Sequence, residues 1–352
     1  MTILHQVISS ASPADAVTGQ ALAWRERFRG WGVGGGGIAE HVPPTLARRV
    51  VRLDGGGRAL LDNGPLLLRY SIWSGAVEAA LAAAGPLAVV YHNVTPGDLL
   101  REVNPEVADL CDRGRRGLRR LAGRASVLVA DSSFNASELA AAGLGDAHVV
   151  PLLLELERND GTAPSHDPER PLVLSVGRIV PSKRLEDAVG AFALFQRERA
   201  PGARLVLAGS DDGFERYGQA LPRLARDLGA RDVRLTGRIT DDERDALYRA
   251  ASAYLCTSVH EGFCAPLVEA LAAGVPVVAR ARAAVPETLG AAGLLIPDDD
   301  LAVFAEALHE VVASEPLRAT LRARAAARLA ELAPTRVDAL MHAALAPLLT
   351  AA

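Results

Sequence analysis

Glu261 and Glu269 stand at the two ends of the run His260-Glu261-Gly262-Phe263-Cys264-Ala265-Pro266-Leu267-Val268-Glu269. Carboxylates accept hydrogen bonds and donate none, so two beside one turn suit the hydroxyls of a sugar. The apolar segment Ala253-Tyr254-Leu255-Cys256-Thr257 before the run is short enough for a buried strand. Val275-Pro276-Val277-Val278-Ala279 after it reads as another. Glu261 is therefore placed in a loop at the carboxyl end of a strand. Pro266 suits the first helical position, where its missing N–H costs nothing. Glu269 then falls about one turn into a short helix that stops at Gly274. The N–H groups of Phe263, Cys264, Ala265 and Leu267 would point out of that helix start, an anion site by backbone geometry and dipole. A sugar joined to a phosphate meets both needs. A strand–loop–helix unit with a Glu at each end is also ordinary scaffold in α/β proteins, so the run alone leaves both readings open.

A second stretch bears on the choice. The apolar strand Leu172–Val176 runs into Gly177-Arg178-Ile179-Val180-Pro181-Ser182-Lys183-Arg184. Gly177 allows a tight turn. Arg178 offers a planar fork for phosphate oxygens and Lys183 a point charge. Both belong at the carboxyl edge of the sheet that carries Glu261 and Glu269. Two cations facing the helix start at Cys264 make a diphosphate site. Either cation alone reads equally as a loop surface charge. In the first half, His92 follows the strand Leu87–Tyr91 directly, where ligands of such sheets bind. It can donate to a sugar hydroxyl or phosphate, or simply bond a neighbouring carbonyl. Asp131-Ser132-Ser133 holds a similar strand-end place, and a Ser there is also an ordinary helix cap.

These residues need a scaffold, and the chain is long enough for two domains at 352 residues. Hydrophobic residues make up 49% and charged ones 23%, the balance of a water-soluble globular chain. A net charge of −4 gives no pull toward nucleic acid. Cys111, Cys256 and Cys264 show no paired or metal-type spacing, which fits a reducing compartment. No leader is read at Met1–Ser10 and no apolar run spans a membrane, so a cytoplasmic protein is expected. Strands are expected at Thr2–Ser9, Leu66–Tyr70, Leu87–Tyr91 and Ser126–Ala130, with helix-like sequence between them. Gly34–Gly37 lacks the Lys-Ser/Thr of a phosphate loop and reads as a flexible connector. Asn135 to Glu138 resembles a capping pair opening a helix. The arginines 113, 115, 116, 119, 120 and 124 lie on an expected helix, either as a solvated face or as a contact for an anionic membrane surface or acidic acceptor. After the polar stretch Glu157–Arg170, strands are expected at Leu172–Val176, Arg204–Ala208, Val233–Thr236, Ala253–Thr257, Val275–Ala279 and Gly293–Ile296. The helix Leu185–Arg199 carries an apolar stripe for core packing. Asp298-Asp299-Asp300 reads as a loop entering a helix, not as a metal site. Alternating strand and helix throughout implies parallel sheets.

Gly177-Arg178 with Lys183, followed by Glu261 through Glu269, resembles the signature of glycosyltransferase family 4, the retaining GT-B enzymes. Val206-Leu207-Ala208-Gly209-Ser210 and Thr236-Gly237-Arg238-Ile239 are similar to that family's strand-end glycines. Ala130-Asp131-Ser132-Ser133-Phe134-Asn135 and Tyr91-His92-Asn93-Val94-Thr95-Pro96 resemble N-terminal stretches of bacterial polysaccharide-type members. The resemblance implies an α/β GT-B fold, two facing Rossmann-like domains with a central cleft. Residues 1–157 would bind the acceptor, 158–170 form the linker, 171–334 hold the nucleotide sugar, and 335–352 close the chain as a helix. Arg178 and Lys183 would hold the diphosphate and Glu269 the ribose. Glu261 would hold the donor sugar beside Gly262 and the N–H groups of Phe263, Cys264 and Ala265. Gly177 and Gly209 would lie against the nucleotide, and the backbone near Ile239 would meet the base. His92 and Asp131 would be the N-terminal contribution. The implied partners are a UDP- or GDP-linked sugar and a carbohydrate, lipid-linked or small-molecule acceptor, with no cofactor and no metal. The family's glycine-rich turn after the first strand is replaced here by Ser10 through Gly19, which puts the first domain's phosphate and acceptor contacts in doubt. A sugar-nucleotide epimerase or a non-catalytic nucleotide-sugar binder on the same architecture remains an alternative.

Overall fold

Leu66–Tyr70 and Leu87–Tyr91 are five-residue runs buried at every position. Continuous burial of that kind is what a parallel sheet covered on both faces demands. In the computed structural model, which describes residues 2–13, 15–156, 167 and 169–349, these runs are the centre of a seven-stranded sheet. Its strands are β1 (His5–Ser10), β2 (Gly37–His41), β3 (Val50–Arg52), β4 (Leu66–Tyr70), β5 (Leu87–Tyr91), β6 (Val127–Ala130) and β7 (His148–Val149). The order is β3-β2-β1-β4-β5-β6-β7 and every pair is parallel. β2, β3 and β7 go beyond the expected strands. The Gly34–Gly37 run is not a loose connector. Leu4 N–H donates to Gly34 O and Gln6 N–H to Gly36 O, so the glycines lead β2 into register beside β1. At Gly35, with φ +132°, a Cβ would sit 2.1 Å from Leu4 O, so only glycine allows the approach.

The described chain divides into two units. The first holds residues 2–97 and 106–154 together with the chain from Ala333. Its last helix, Pro334–Leu349, lays Met341, Leu345 and Leu348 into a core with Trp24, Phe28, Leu67 and Val90. The helix Ser133–Ala141 is capped by Ser132, whose hydroxyl accepts from Asn135 N–H at 3.1 Å. The cap therefore lies three residues before the expected Asn135 pair. Asn135 is fully buried and donates to Tyr91 O instead. Of the six clustered arginines, Arg115 bonds Val94 O and Glu138, and Arg124 takes up the carbonyls of Ala83 and Gly85 at a helix end. Arg120 lies over the Trp73 ring, while Arg113, Arg116 and Arg119 face solvent.

The second unit holds Asp98–Pro105 and the described part of Glu155–Leu332. Most of the expected linker, residues 158–166 and 168, lies outside the described residues. The sheet comprises β8 (Leu172–Val176), β9 (Arg204–Ala208), β10 (Val233–Leu235), β11 (Ala253–Cys256), β12 (Val277–Arg280) and β13 (Leu294–Ile296). It is parallel throughout, in the order β10-β9-β8-β11-β12-β13. The chain grows outward from β8 on one side and from β11 on the other. Loops leaving β8 and β11 therefore diverge to opposite faces and leave a crevice at their carboxyl ends. Asp300 caps the helix Leu301–Ala313 by accepting from Ala302 N–H, in keeping with its expected place. Among the described residues, no helix is long and apolar enough to cross a membrane.

Candidate functional site

A pocket sits at that crevice. From the β8 side it is lined by Ser175, Gly177, Arg178 and Lys183, and from the β11 side by Thr257, Ser258, Glu261 and Cys264. Lys183 Nζ donates to the Glu261 carboxylate. Burial works to lower the Lys183 pKa, but the charge and hydrogen bond of Glu261 outweigh it and hold the ammonium above its ordinary range. An ammonium has three donors, so two remain for a ligand. Arg178 is exposed, with its guanidinium 5.6 Å over the Phe214 ring and one N–H given to Asp212 O at 3.2 Å. The β8 turn is pressed against the β9 turn. A Cβ on Gly209 would lie 2.0 Å from Gly177 O, so the two strand-end glycines permit contact that side chains would forbid.

The helix behind Glu261 spans Ala265–Ala272, with Pro266 second rather than first. Cys264 precedes it in the left-handed conformation, φ +73°. A non-glycine residue there carries strain of the kind that collects at binding sites. Leu267 N–H is not open as expected, because it donates to Cys264 O at 3.1 Å. The N–H groups of Phe263, Cys264 and Ala265 meet no acceptor among the described residues. Glu269 does not share the pocket lining with Glu261. Its carboxylate accepts from the Tyr248 hydroxyl at 2.8 Å, and burial raises its pKa. The structure thus gathers Arg178, Lys183 and Glu261, and leaves Glu269 one turn away on another partner. Ile239 is partly buried against the core beneath this sheet.

Residues that motif reading passed over hold the pocket in shape. Arg280 ends β12 with 1% exposure. It donates to Thr257 O and to Asp187 Oδ2, the latter at 2.7 Å. The Thr257 hydroxyl spans the carbonyls of Lys183 and Arg184 at 3.0 and 2.9 Å. Arg280 therefore ties the turn that presents Lys183 to the strand that leads to Glu261. The only sequence signal was a guanidinium closing an otherwise apolar run, Val277 to Ala279. Cys256, Cys264 and Glu261 are also brought together, with ligand atoms within 4.8 Å of one another. Their spacing in sequence had suggested no such grouping.

In the N-terminal unit, His92 is enclosed, not open at a strand tip. Its Nδ1 lies 2.8 Å from Asp131 Oδ2, and the two side chains are 4% and 5% exposed. Its Nε2 lies 3.1 Å from Arg69 Nη1. A guanidinium only donates, so Nε2 accepts and Nδ1 carries the proton given to Asp131. Both ring nitrogens are occupied, and Asp131 Oδ2 is engaged by the ring. The expected open donor at His92 and open acceptor at Asp131 are replaced by a buried relay from Gln6 through Arg69 and His92 to Asp131. Burial pulls the Arg69 pKa down to about 9 against the opposing charge of Asp131.

Residues 158–328 match the family model of the glycosyl transferases group 1. Curated relatives agree with it. The chain is 37% identical over 174 residues to D-inositol 3-phosphate glycosyltransferase of Frankia alni, an alignment covering 47% of this chain and 42% of that one. It is 33% identical over 141 residues to O-antigen chain mannosyltransferase B of Escherichia coli, covering 39% and 36%. A GDP-mannose-dependent phosphatidylinositol monomannoside mannosyltransferase of Mycobacterium tuberculosis is 33% identical over 154 residues, covering 41% and 39%. The chain therefore matches less than half the length of these relatives. Solved structures extend the likeness to the whole fold. Anabaena Alr3699/HepE, crystallised with UDP and glucose, superposes with a TM-score of 0.78 at 18% identity, covering 99% of this chain and 100% of that one. Sucrose-phosphate synthase of Thermosynechococcus elongatus gives 0.76 at 17%, covering all of both. The two Rossmann-like parallel sheets are those of the GT-B glycosyltransferase fold.

Proposed function

We propose that the chain is a retaining glycosyltransferase that moves a hexose from a UDP- or GDP-linked sugar to an acceptor hydroxyl in polysaccharide or glycoconjugate assembly. The observation that carries this reading is the Lys183–Glu261 pair, set beside Arg178 in one pocket at the carboxyl ends of β8 and β11. As the glycosidic bond breaks, negative charge builds on the leaving diphosphate. Arg178, the two remaining donors of Lys183 and the outward N–H groups of Phe263, Cys264 and Ala265 stabilise that charge without reorganising, which is the large electrostatic term in such reactions. Glu261 holds Lys183 in place and accepts from the donor sugar's hydroxyls. Among the described residues lining the pocket, Glu261 is the one carboxylate, and it is already paired with Lys183. The reading therefore has no enzyme nucleophile. The acceptor attacks from the face that the diphosphate leaves, and a phosphate oxygen takes its proton.

The same reading makes Glu269 the ribose acceptor, reached by exchange of its Tyr248 bond. It makes the family-4 assignment, transfer without a resident metal and acceptor binding by the N-terminal unit part of one proposal. Names of the relatives support a nucleotide sugar as donor and a glycan or lipid as acceptor. His92 acts there by ordering its loop, since its ring is engaged on both sides. The exposed Arg113, Arg116 and Arg119 are proposed as a face for an anionic acceptor or membrane surface.

Incubation with labelled UDP- and GDP-hexoses, with and without glycan and lipid acceptors, tests the reading. Label appearing in an acceptor, with loss in Lys183→Ala and Glu261→Ala, is the expected result. Donor turnover that needs no acceptor would replace transfer by epimerisation, and binding without turnover would leave a nucleotide-sugar binder.

A further inference from the structure

The sugar chemistry proposed above uses neither thiol of the pocket. Cys256 ends β11 and Cys264 precedes the helix Ala265–Ala272, and both are buried with Glu261 between them in the chain. Their sulfurs and a Glu261 oxygen all lie within 4.8 Å of one another. All three line the pocket, so the group is reached from it. We infer that Cys256, Cys264 and Glu261 form a binding site for a thiophilic divalent cation of the zinc and cadmium class, set in the wall of the donor pocket.

The chemistry of the donors makes the selection. Two sulfurs and one carboxylate suit a soft or borderline tetrahedral ion, not magnesium or calcium, which take oxygen ligands. Zinc bonds of about 2.3 Å to sulfur and about 2.0 Å to oxygen place neighbouring donors roughly 3.5–3.8 Å apart. Each cysteine has a single side-chain torsion, and a closure of about 1 Å reaches that spacing. Charge also balances. At present the Glu261 carboxylate offsets the Lys183 ammonium across their bond. When the cation binds, each thiol gives up its proton. Two thiolates, one carboxylate and one dication then sum to a single negative charge, and Lys183 again offsets it. A tetrahedral ion on three protein donors leaves one position for water.

A cation held there would draw Glu261 from Lys183 and narrow the space for a nucleoside diphosphate. That consequence rests on the proposed function, but the site itself does not. The test is a titration of the reduced full-length chain with cadmium chloride, following sulfur-to-cadmium charge-transfer absorption and proton release. One saturating equivalent and two protons released per cation are expected. Cys256→Ser and Cys264→Ser should each weaken binding at least about tenfold, Glu261→Gln should weaken it, and Cys111→Ser should not. Circular dichroism confirms that each variant is folded. A non-saturating signal, or wild-type affinity in either serine variant, would overturn the site. A second arm measures UDP and GDP binding with and without cadmium. Cadmium bound as expected to a chain that binds neither nucleotide would sink the proposed function and leave the cation site standing.

Discussion

Lys183 Nζ donates to the carboxylate of Glu261, 78 residues further along the chain. Their side chains are 21% and 10% exposed, so each charge is answered chiefly by the other. Removing one partner strands a sheltered charge at a cost of about 3–5 kcal/mol, while removing both strands none. Lys183→Met and Glu261→Gln should therefore each lower stability in urea denaturation, and the double variant should lose less than the sum. Additive losses within error would show that the two groups are independent.

Arg280 should matter to the site without touching a ligand. It is almost fully buried and bonds both Thr257 O and Asp187. Arg280→Ala leaves Asp187 with Arg184 alone and frees the Thr257 carbonyl, which should cost about 3 kcal/mol or more. Arg280→Lys keeps the charge but loses the fork, and should restore part of the stability and little of the nucleotide affinity. Full affinity in a folded Arg280→Lys protein would show that the guanidinium only supports the core.

Glu269 provides a dependence on pH. Burial raises its folded-state pKa above the ordinary 4.5. The folded state then binds the proton more tightly than the unfolded one, so stability falls as pH rises from about 4.5 to the raised value and levels off above it. Glu269→Gln removes this term. The variant should gain on the wild type as pH rises above about 4.5, in parallel denaturation curves. A difference that does not change with pH would mean that the Tyr248 bond and burial leave the carboxyl unperturbed.

Gly209 and Gly229 make a controlled comparison. Both have positive φ, +149° and +72°. A Cβ at Gly209 meets Gly177 O at 2.0 Å, whereas one at Gly229 meets nothing within 4 Å. Gly229→Ala should cost about 1 kcal/mol from backbone strain alone. Gly209→Ala should cost clearly more, because the β8 turn that carries Arg178 must move. Equal melting temperatures would mean that the two turns are not in close contact.

Much of the scaffold was legible because buried parallel strands are written as apolar runs. Leu66–Tyr70, Leu87–Tyr91, Leu172–Val176 and Arg204–Ala208 fall where those runs fall. β2, β3 and β7 were missed because Gly37–His41, Val50–Arg52 and His148–Val149 are short and rich in glycine or charge. Their pairing comes from β1 and β6, not from their own composition. In the site, the strand-end position of Arg178, Lys183 and Glu261 was legible from local sequence. Side-chain direction was not. Glu269 and Glu261 lie close in the chain, yet Glu269 turns to Tyr248. His92 sits at a strand tip, yet Arg69 inside β4 and Asp131 after β6 close around it. The meeting of Cys256 with Cys264 depends on a left-handed residue before a helix, which no spacing rule announces.

The central claim is that the crevice between the β8 and β11 turns takes a nucleoside diphosphate. Titration calorimetry with UDP and with GDP, on the wild type and on folded Arg178→Ala and Lys183→Ala, tests it most directly. One of the two nucleotides should bind the wild type, and each variant should bind it about 10–100-fold more weakly, the loss of one charged donor. Failure of both nucleotides to bind, or an affinity that neither substitution changes, would contradict it.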